Sequence, residues 1–503
     1  MPNSILTDSI SSTVKFLDTA FELAVEQEIL LADYDKSVFK TVKTCVDHTV
    51  TQKYINGSRL VCEGFFRISI FYQPPGEEKL TLVVKKQPFR HQLDLPGPVS
   101  RPYFINITGS LQYVNTRAVS ANRITVSGIY GFEAKGWQSC RLGVVTAINT
   151  PTVCCDSVQL PYFALCAAGT RQFSMEEELS LGADIEKILN ISTAQNSFTV
   201  NTYLDKVNIK GEVTADIYYT TENSFSVSRS SKKFSYNQVV DLPGTSENCV
   251  AYADFLTTGF TVTADADNGR INCILTACFD VKVFRKESVI AVRDCFSKQY
   301  EYENTVKQLL WDANIQAVSD TFNFQVEDTV PAGCRPVYTV LDIQQPVLSV
   351  AEGKNTLKAK TTVSVIAISE KGEYECFTKT GDITIGTNLP AGAEDECFVT
   401  CTAYGADTTI NGDTMGVRFS VDVKGFVINR TGGQVIDSFE EKPDSPLNRH
   451  TDALILYFGE KGENLFDIAR KYSTDLSVIM AENNIETKIL AEEKMLLIPA
   501  YRQ

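Results

Sequence analysis

Apolar and polar residues alternate along most of this chain. Leu60, Cys62, Gly64, Phe66, Ile68, Ile70 and Tyr72 share one face of one stretch. Ile271, Cys273, Leu275, Ala277, Phe279, Val281 and Val283 share one face of another. A period of two is that of a strand, whose successive side chains point to opposite faces. Thr, Val, Ile and aromatic residues dominate these stretches, as half-buried strands prefer. Asp94-Leu95-Pro96-Gly97 and Asp241-Leu242-Pro243-Gly244 read as turn punctuation between strands.

The strand pattern also repeats over a long interval. Gly64–Tyr72 corresponds to Gly211–Tyr219, and a third stretch, Leu357–Val365, stands at the same spacing. The two Asp-Leu-Pro-Gly turns have a counterpart at Asn388-Leu389-Pro390-Ala391. Each copy closes on another long strand: Ile124 to Ala134, Ile271 to Val283, and Met415 to Val427. The prediction is a mainly β chain of three tandem antiparallel sandwich- or barrel-like repeats, spanning 1–140, 172–290 and 321–430. The joints, 141–171, 286–320 and 430–450, look irregular. Gly432-Gly433, Glu440-Glu441, Pro443 and Pro446 give 431–450 the composition of a linker.

The pattern changes after residue 451. Leu454–Phe458 reads as a short strand. Leu465, Ile468, Ala469 and Tyr472 fall at i, i+3, i+4 and i+7, one face of a helix. Asp475 is placed to cap a second helix carrying Leu476, Ile479 and Met480. Met495–Ile498 closes as a strand before Pro499. Residues 451–503 are thus a βααβ unit.

Charge and chemistry narrow the picture. The chain has 503 residues and a formal net charge of −15, with no long basic run. That argues against nucleic acid and anionic membrane surfaces as partners. No stretch approaches the ~18 apolar residues of a membrane helix. The N-terminus shows no export signal, so a cytoplasmic location is expected. The fourteen cysteines include no C-x-x-C pair and only three histidines accompany them, so neither a metal site nor a cofactor is expected. The bland reading is reduced cysteines used as small core residues. No nucleotide loop, zinc-protease, nucleophile-elbow or kinase signature occurs, and no enzymatic activity is expected.

The C-terminal unit resembles the LysM domain. Gly462-Glu463-Asn464-Leu465 stands where that family has Gly-Asp-Thr-Leu, and Ile468-Ala469 and Tyr472 match its first-helix core. Joined to tandem β-rich repeats, and with the run Val292-Arg293-Asp294-Cys295-Phe296-Ser297-Lys298-Gln299-Tyr300-Glu301 after the second, the chain is similar to the SPOCS–LysM coat morphogenetic proteins (SipL-like) of endospore-forming Firmicutes. The resemblance implies a scaffold in the mother-cell cytoplasm at the forespore surface. Its LysM domain would hold a coat morphogenetic ATPase of the SpoIVA type, and the β repeats would offer surfaces to other coat proteins.

In glycan-binding LysM modules a shallow groove lies between two loops, here 459–464 and 483–494. Candidate groove residues are Gly462, Glu463, Asn464, Phe466, Asn484 and Ile485, with Glu463, Asn464 and Phe466 expected to be exposed. Glu463 could equally serve only to favour the helix N-terminus. Asn483 is expected to cap its helix or hold the loop. The family's Pro-Gly before the last strand is replaced by Glu492-Glu493. Residues 454–500 hold eight acidic and five basic groups, a net of −3. Both departures favour a protein partner over glycan. Two alternatives remain: a peptidoglycan-binding wall protein, and a phage tail or baseplate component.

Overall fold

The computed structural model describes residues 4–32, 36–76, 79–180, 185–221, 227–265, 270–351, 354–390, 394–447 and 454–499. Long antiparallel ladders carry the fold. The first unit comprises β1 (Ser4–Leu30), β2 (Lys40–Asn56), β3 (Arg59–Gln73), β4 (Thr81–Asp94), β5 (Tyr103–Ser120) and β6 (Arg123–Asn149). These form two three-stranded sheets, ordered β1-β6-β5 and β2-β3-β4. Alternation places Leu60, Phe66, Ile68, Ile70 and Tyr72 of β3 between the sheets, against Ile124, Val126, Tyr130, Phe132 and Ala134 of β6.

The second unit has the same order of pairing. It comprises β7 (Val153–Ser180), β8 (Ile185–Tyr203), β9 (Lys206–Thr221), β10 (Ser228–Asp241), β11 (Cys249–Asp265) and β12 (Arg270–Ser297). Its sheets are β11-β12-β7 and β10-β9-β8. The face from Ile271 to Val283 lies in its core, as its alternation requires. The third unit comprises β13 (Tyr300–Thr329), β14 (Arg335–Ile343), β15 (Val347–Ala351), β16 (Lys354–Ile368), β17 (Tyr374–Pro390), β18 (Glu396–Asn411) and β19 (Thr414–Pro446). Here the strand equivalent to β2 is split in two. β14 and β15 both pair with β16, and Pro346, which has no N–H to give a ladder, lies in the break.

The first and last strands of each unit run well past the sandwich as a two-stranded arm, and the three arms pack against one another. Corresponding residues of the three last strands meet in layers. Trp137, Phe284 and Ile428 lie in one cluster, and Val144, Ala291 and Val435 in the next. Val145, Val292 and Ile436 share a third with Ile148, Cys295 and Phe439. At the other end Phe71 and Ile366, with Tyr218 beside them, join the outer faces of the sandwiches in another cluster. The units therefore share cores.

Residues 141–149, 153–171, 286–297 and 300–320, which looked irregular in sequence, are strand in these arms. So are residues 431–446, read as linker. The small and charged residues that gave that impression fit an arm. Gly433 faces the Trp311 ring, which an added Cβ would meet at 3.2 Å. Pro161 sits on β7, an edge strand that tolerates it, and its carbonyl accepts the Trp311 indole N–H at 3.1 Å.

The C-terminal unit is βααβ, as expected: β20 (Leu454–Gly459), α1 (Leu465–Lys471), α2 (Leu476–Glu482) and β21 (Lys494–Pro499). β20 and β21 pair antiparallel, Leu454 opposite Pro499. Leu465, Ile468, Ala469, Ile479, Leu496 and Ile498 form its core. Residues 448–453 lie outside the described residues. Among the described residues no helix is long and apolar enough to cross a membrane.

Candidate functional site

The two loops of the βααβ module lie side by side and are zipped together through their backbones. The Gly462 N–H donates to the Leu490 carbonyl at 2.8 Å, the Leu490 N–H to Glu463 at 3.0 Å, and the Leu465 N–H to Lys488 at 2.8 Å. Asn464 and Ile489 form an isolated bridge. Gly462 turns the first loop with φ of +91° and open space around it, a conformation that favours glycine. These bonds fix the two loops against each other.

Most of the expected groove residues serve the module itself. The Glu463 carboxylate accepts the Tyr457 hydroxyl at 2.6 Å and the Glu460 N–H at 2.9 Å. The Tyr457 bond holds its pKa below the ordinary glutamate range, and the same bond pushes Tyr457 up to about 12. Asn464 is the N-cap of α1 and accepts the Phe466 N–H at 3.0 Å. Asn484, at φ +52°, is exposed, and Ile485 is half-buried beside the module core. Asn483 donates to the Ile479 and Leu497 carbonyls at 2.7 and 2.8 Å and accepts the Leu497 N–H at 2.7 Å. It both caps α2 and holds β21.

Phe466, expected to be exposed, is 1% exposed. It packs edge-on against Phe296 at 5.2 Å between ring centroids, with Cys154 and Tyr302 in the same cluster. The reason is tertiary: the module sits on the end of the β7–β12 arm. Three ion pairs surround the aromatic contact. Arg470 pairs with Asp294 and lies over both rings, 5.8 Å from Phe296 and 5.3 Å from Phe466. Lys298 reaches Asp475 at 2.7 Å, and Lys488 reaches Asp156 at 2.5 Å. Burial alone would raise the Asp156 carboxyl, but Lys488 and Arg293 outweigh it and hold the pKa below the ordinary range. Asp475 does occupy the N-cap position of α2, yet its side chain makes no capping bond. Its carboxylate is turned to Lys298.

The seat is therefore built largely from the run Val292–Glu301. Asp294 binds Arg470, Phe296 receives Phe466, and Lys298 binds Asp475. The Ser297 hydroxyl donates to Glu441 at 2.5 Å and accepts the Gln299 and Tyr300 N–H groups, which fixes the turn into β13. Sequence reasoning singled out this run but missed its contact with the module. Asp156, Arg470 and Lys488 carried no motif. The available signal was a cluster of charge and aromatic residues breaking the strand alternation at a joint.

Other polar clusters join units. A cavity of about 550 Å³ between them is lined by Lys53, Asp254, Asp280 and several threonines. Its charges are paired: Lys53 to Asp280 at 2.6 Å and Lys282 to Asp254 at 2.5 Å. Burial would lower the Lys282 pKa, but Asp254 and Asp280 reverse this and raise it. The fourteen cysteines are free thiols, none fully exposed, and burial raises Cys155 to about 11 and Cys295 to about 12. Among the described residues no group of three or more His, Cys, Asp or Glu is placed to hold a metal ion.

No curated protein and no solved structure is similar enough to the chain to count as a match. A family comparison does find a relative within the second unit: residues 184–264, from the start of β8 into β11, match the family described as SipL, SPOCS domain.

Proposed function

We propose that this protein is a non-enzymatic scaffold of endospore coat assembly, built from three SPOCS-like repeats and a LysM-type module. The observation that carries this reading is the family match on the second unit, in a chain whose first and third units share its strand order. In this reading the scaffold works in the mother-cell cytoplasm at the forespore surface. The module tethers it to a coat morphogenetic ATPase of the SpoIVA type, and the β units offer surfaces to other coat proteins. A protein partner for the module is supported by its acidic balance and by Glu492-Glu493 before the last strand. Gly462, Glu463, Asn464, Asn484 and Ile485 border the proposed contact. Phe466 joins it only when the module leaves its seat.

The test is capture of the full chain by the purified coat ATPase and, in parallel, by insoluble peptidoglycan. Capture by the ATPase, weakened by Ile485→Arg, is the expected result. Capture by peptidoglycan alone would overturn the tether reading and favour a wall-binding protein. Capture by neither would return weight to the phage tail alternative.

A further inference from the structure

We infer that docking of the C-terminal module on the β7–β12 arm is a reversible electrostatic latch that hides Phe466 and opens as its ion pairs are weakened. Its consequence for partner binding rests on the tether reading above; the latch itself does not.

Most of the module's core comes from its own helices and strands: Leu465, Ile468, Ala469, Ile479, Leu490, Leu496 and Ile498. The seat adds a small apolar patch of Phe296, Cys154 and Tyr302, with Phe296 on Phe466, ringed by charge. Module and arm contribute opposite signs at each position: Arg470 to Asp294, Asp475 to Lys298, and Lys488 to Asp156. The exposures are unequal. Lys298 and Asp156 are 4% exposed and their partners Asp475 and Lys488 31% and 46%, whereas Arg470 and Asp294 are both 36% exposed. The Arg470–Asp294 pair is thus the one of the three with neither partner buried, which leaves it open to screening by salt. Arg470 also lies over both aromatic rings, so its release uncovers the Phe296–Phe466 contact. Asp475 points the same way. A residue at a helix N-cap ordinarily bonds its own helix, but here the carboxylate is given to Lys298. Undocking frees it to cap α2, which lowers the cost of the open state.

A tryptophan at the seat reads this equilibrium in the full chain. Trp137 and Trp311 are buried, so acrylamide quenching of Phe466→Trp reports the new side chain over a low background. The Debye length falls from about 10 Å at ~0.1 M salt to about 3 Å at ~1 M, and quenching is expected to rise several-fold over that range. Asp294→Lys, which lies on the arm and opposes Arg470, is expected to open the seat at low salt. Adding Arg470→Glu restores opposite signs and is expected to close it again. Equal shielding of Phe466→Trp at both salt concentrations and in Asp294→Lys would overturn the latch. So would full quenching in the otherwise wild-type chain at low salt, or failure of the charge swap to reclose it. Apparent affinity scales with the fraction of molecules whose binding face is available. Asp294→Lys should therefore capture the partner ATPase better than wild type, and the swap should reverse that. Opening with no capture by any variant would leave the latch standing and refute the tether. Opening with weaker capture would show that the hidden face is not the binding face, and would overturn the masking.

Discussion

Asp312 offers a direct test of whether the units form one body. Its side chain is 0% exposed. One oxygen accepts the Thr13 backbone N–H of the first unit at 2.7 Å, and the other accepts the Arg430 Nε at 3.2 Å. Arg430 in turn donates to the Thr13 carbonyl at 2.5 Å and lies 3.6 Å from Glu396. Burial raises the Asp312 carboxyl pKa, and the bonds from Thr13 and Arg430 offset this only in part. In Asp312→Ala a buried N–H loses its acceptor and a nearly buried guanidinium loses its principal partner. Breaking a buried pair costs roughly 3–5 kcal/mol. Glu396 still faces Arg430, which places the expected cost near the lower end, about 3 kcal/mol.

At about 1.4 kcal/mol per decade, that is a roughly 100-fold rise in local opening. Hydrogen exchange at the Thr13 amide reads it directly, and urea unfolding reads the global part. Replacing the pair by apolar groups of similar size is often neutral or stabilising, so Asp312→Leu with Arg430→Met should recover most of the loss. Exchange at Thr13 within about threefold of wild type in Asp312→Ala would refute the argument, since ~0.7 kcal/mol is too small for a broken buried pair. Equal destabilisation in the single and double variants would refute it as well.

Three further outcomes follow from local geometry. Gly425 stands at φ +146°, where a Cβ would lie 2.0 Å from the Phe398 carbonyl oxygen; Gly425→Ala should cost more than about 3 kcal/mol and show as loss of soluble protein or a collapsed urea midpoint. Asn483→Ala removes one hydrogen bond to α2 and two to β21, worth together roughly 2–3 kcal/mol; exchange should rise across 494–499 while the arms stay protected. Glu463 has a lowered folded-state pKa, so its contribution is present above the unfolded glutamate pKa and is lost as pH falls through the lowered value. Protection of the Glu460 amide should therefore fall on acidification below about pH 4.3, and Glu463→Gln should flatten that dependence.

Much of the fold was legible because period-two alternation is a local signal. Leu60 to Tyr72 and Ile271 to Val283 face cores as the alternation requires, and the helical spacing of Leu465, Ile468 and Ala469 gives α1 its buried face. The arms were not legible. Gly432-Gly433, Pro161 and Cys154-Cys155 have the composition of a joint, and they are strand because each pairs with the other arm strand of its unit and the three arms pack in shared layers. The site was legible in part. Asn483 at a helix end carries short-range capping chemistry that sequence exposes, whereas Asn464, expected as an exposed contact, caps α1. Phe466 was misplaced because an aromatic side chain after an N-cap reads the same whether it meets solvent or Phe296, whose ring is brought to it from far away in the chain.

The sequence by itself determined the sandwich strands, the βααβ order of the C-terminus and the turns at 95–97 and 242–244, since each depends on residues a few places apart; residues 388–390, expected as a third such turn, are strand at the end of β17. Only the tertiary structure decided that the three units share cores, that charged residues such as Asp312 and Arg430 bind across units, and that the module rests on Phe296. Those contacts join residues hundreds of positions apart. Their energy comes from burying surfaces and pairing charges between elements already formed, which local pattern does not encode.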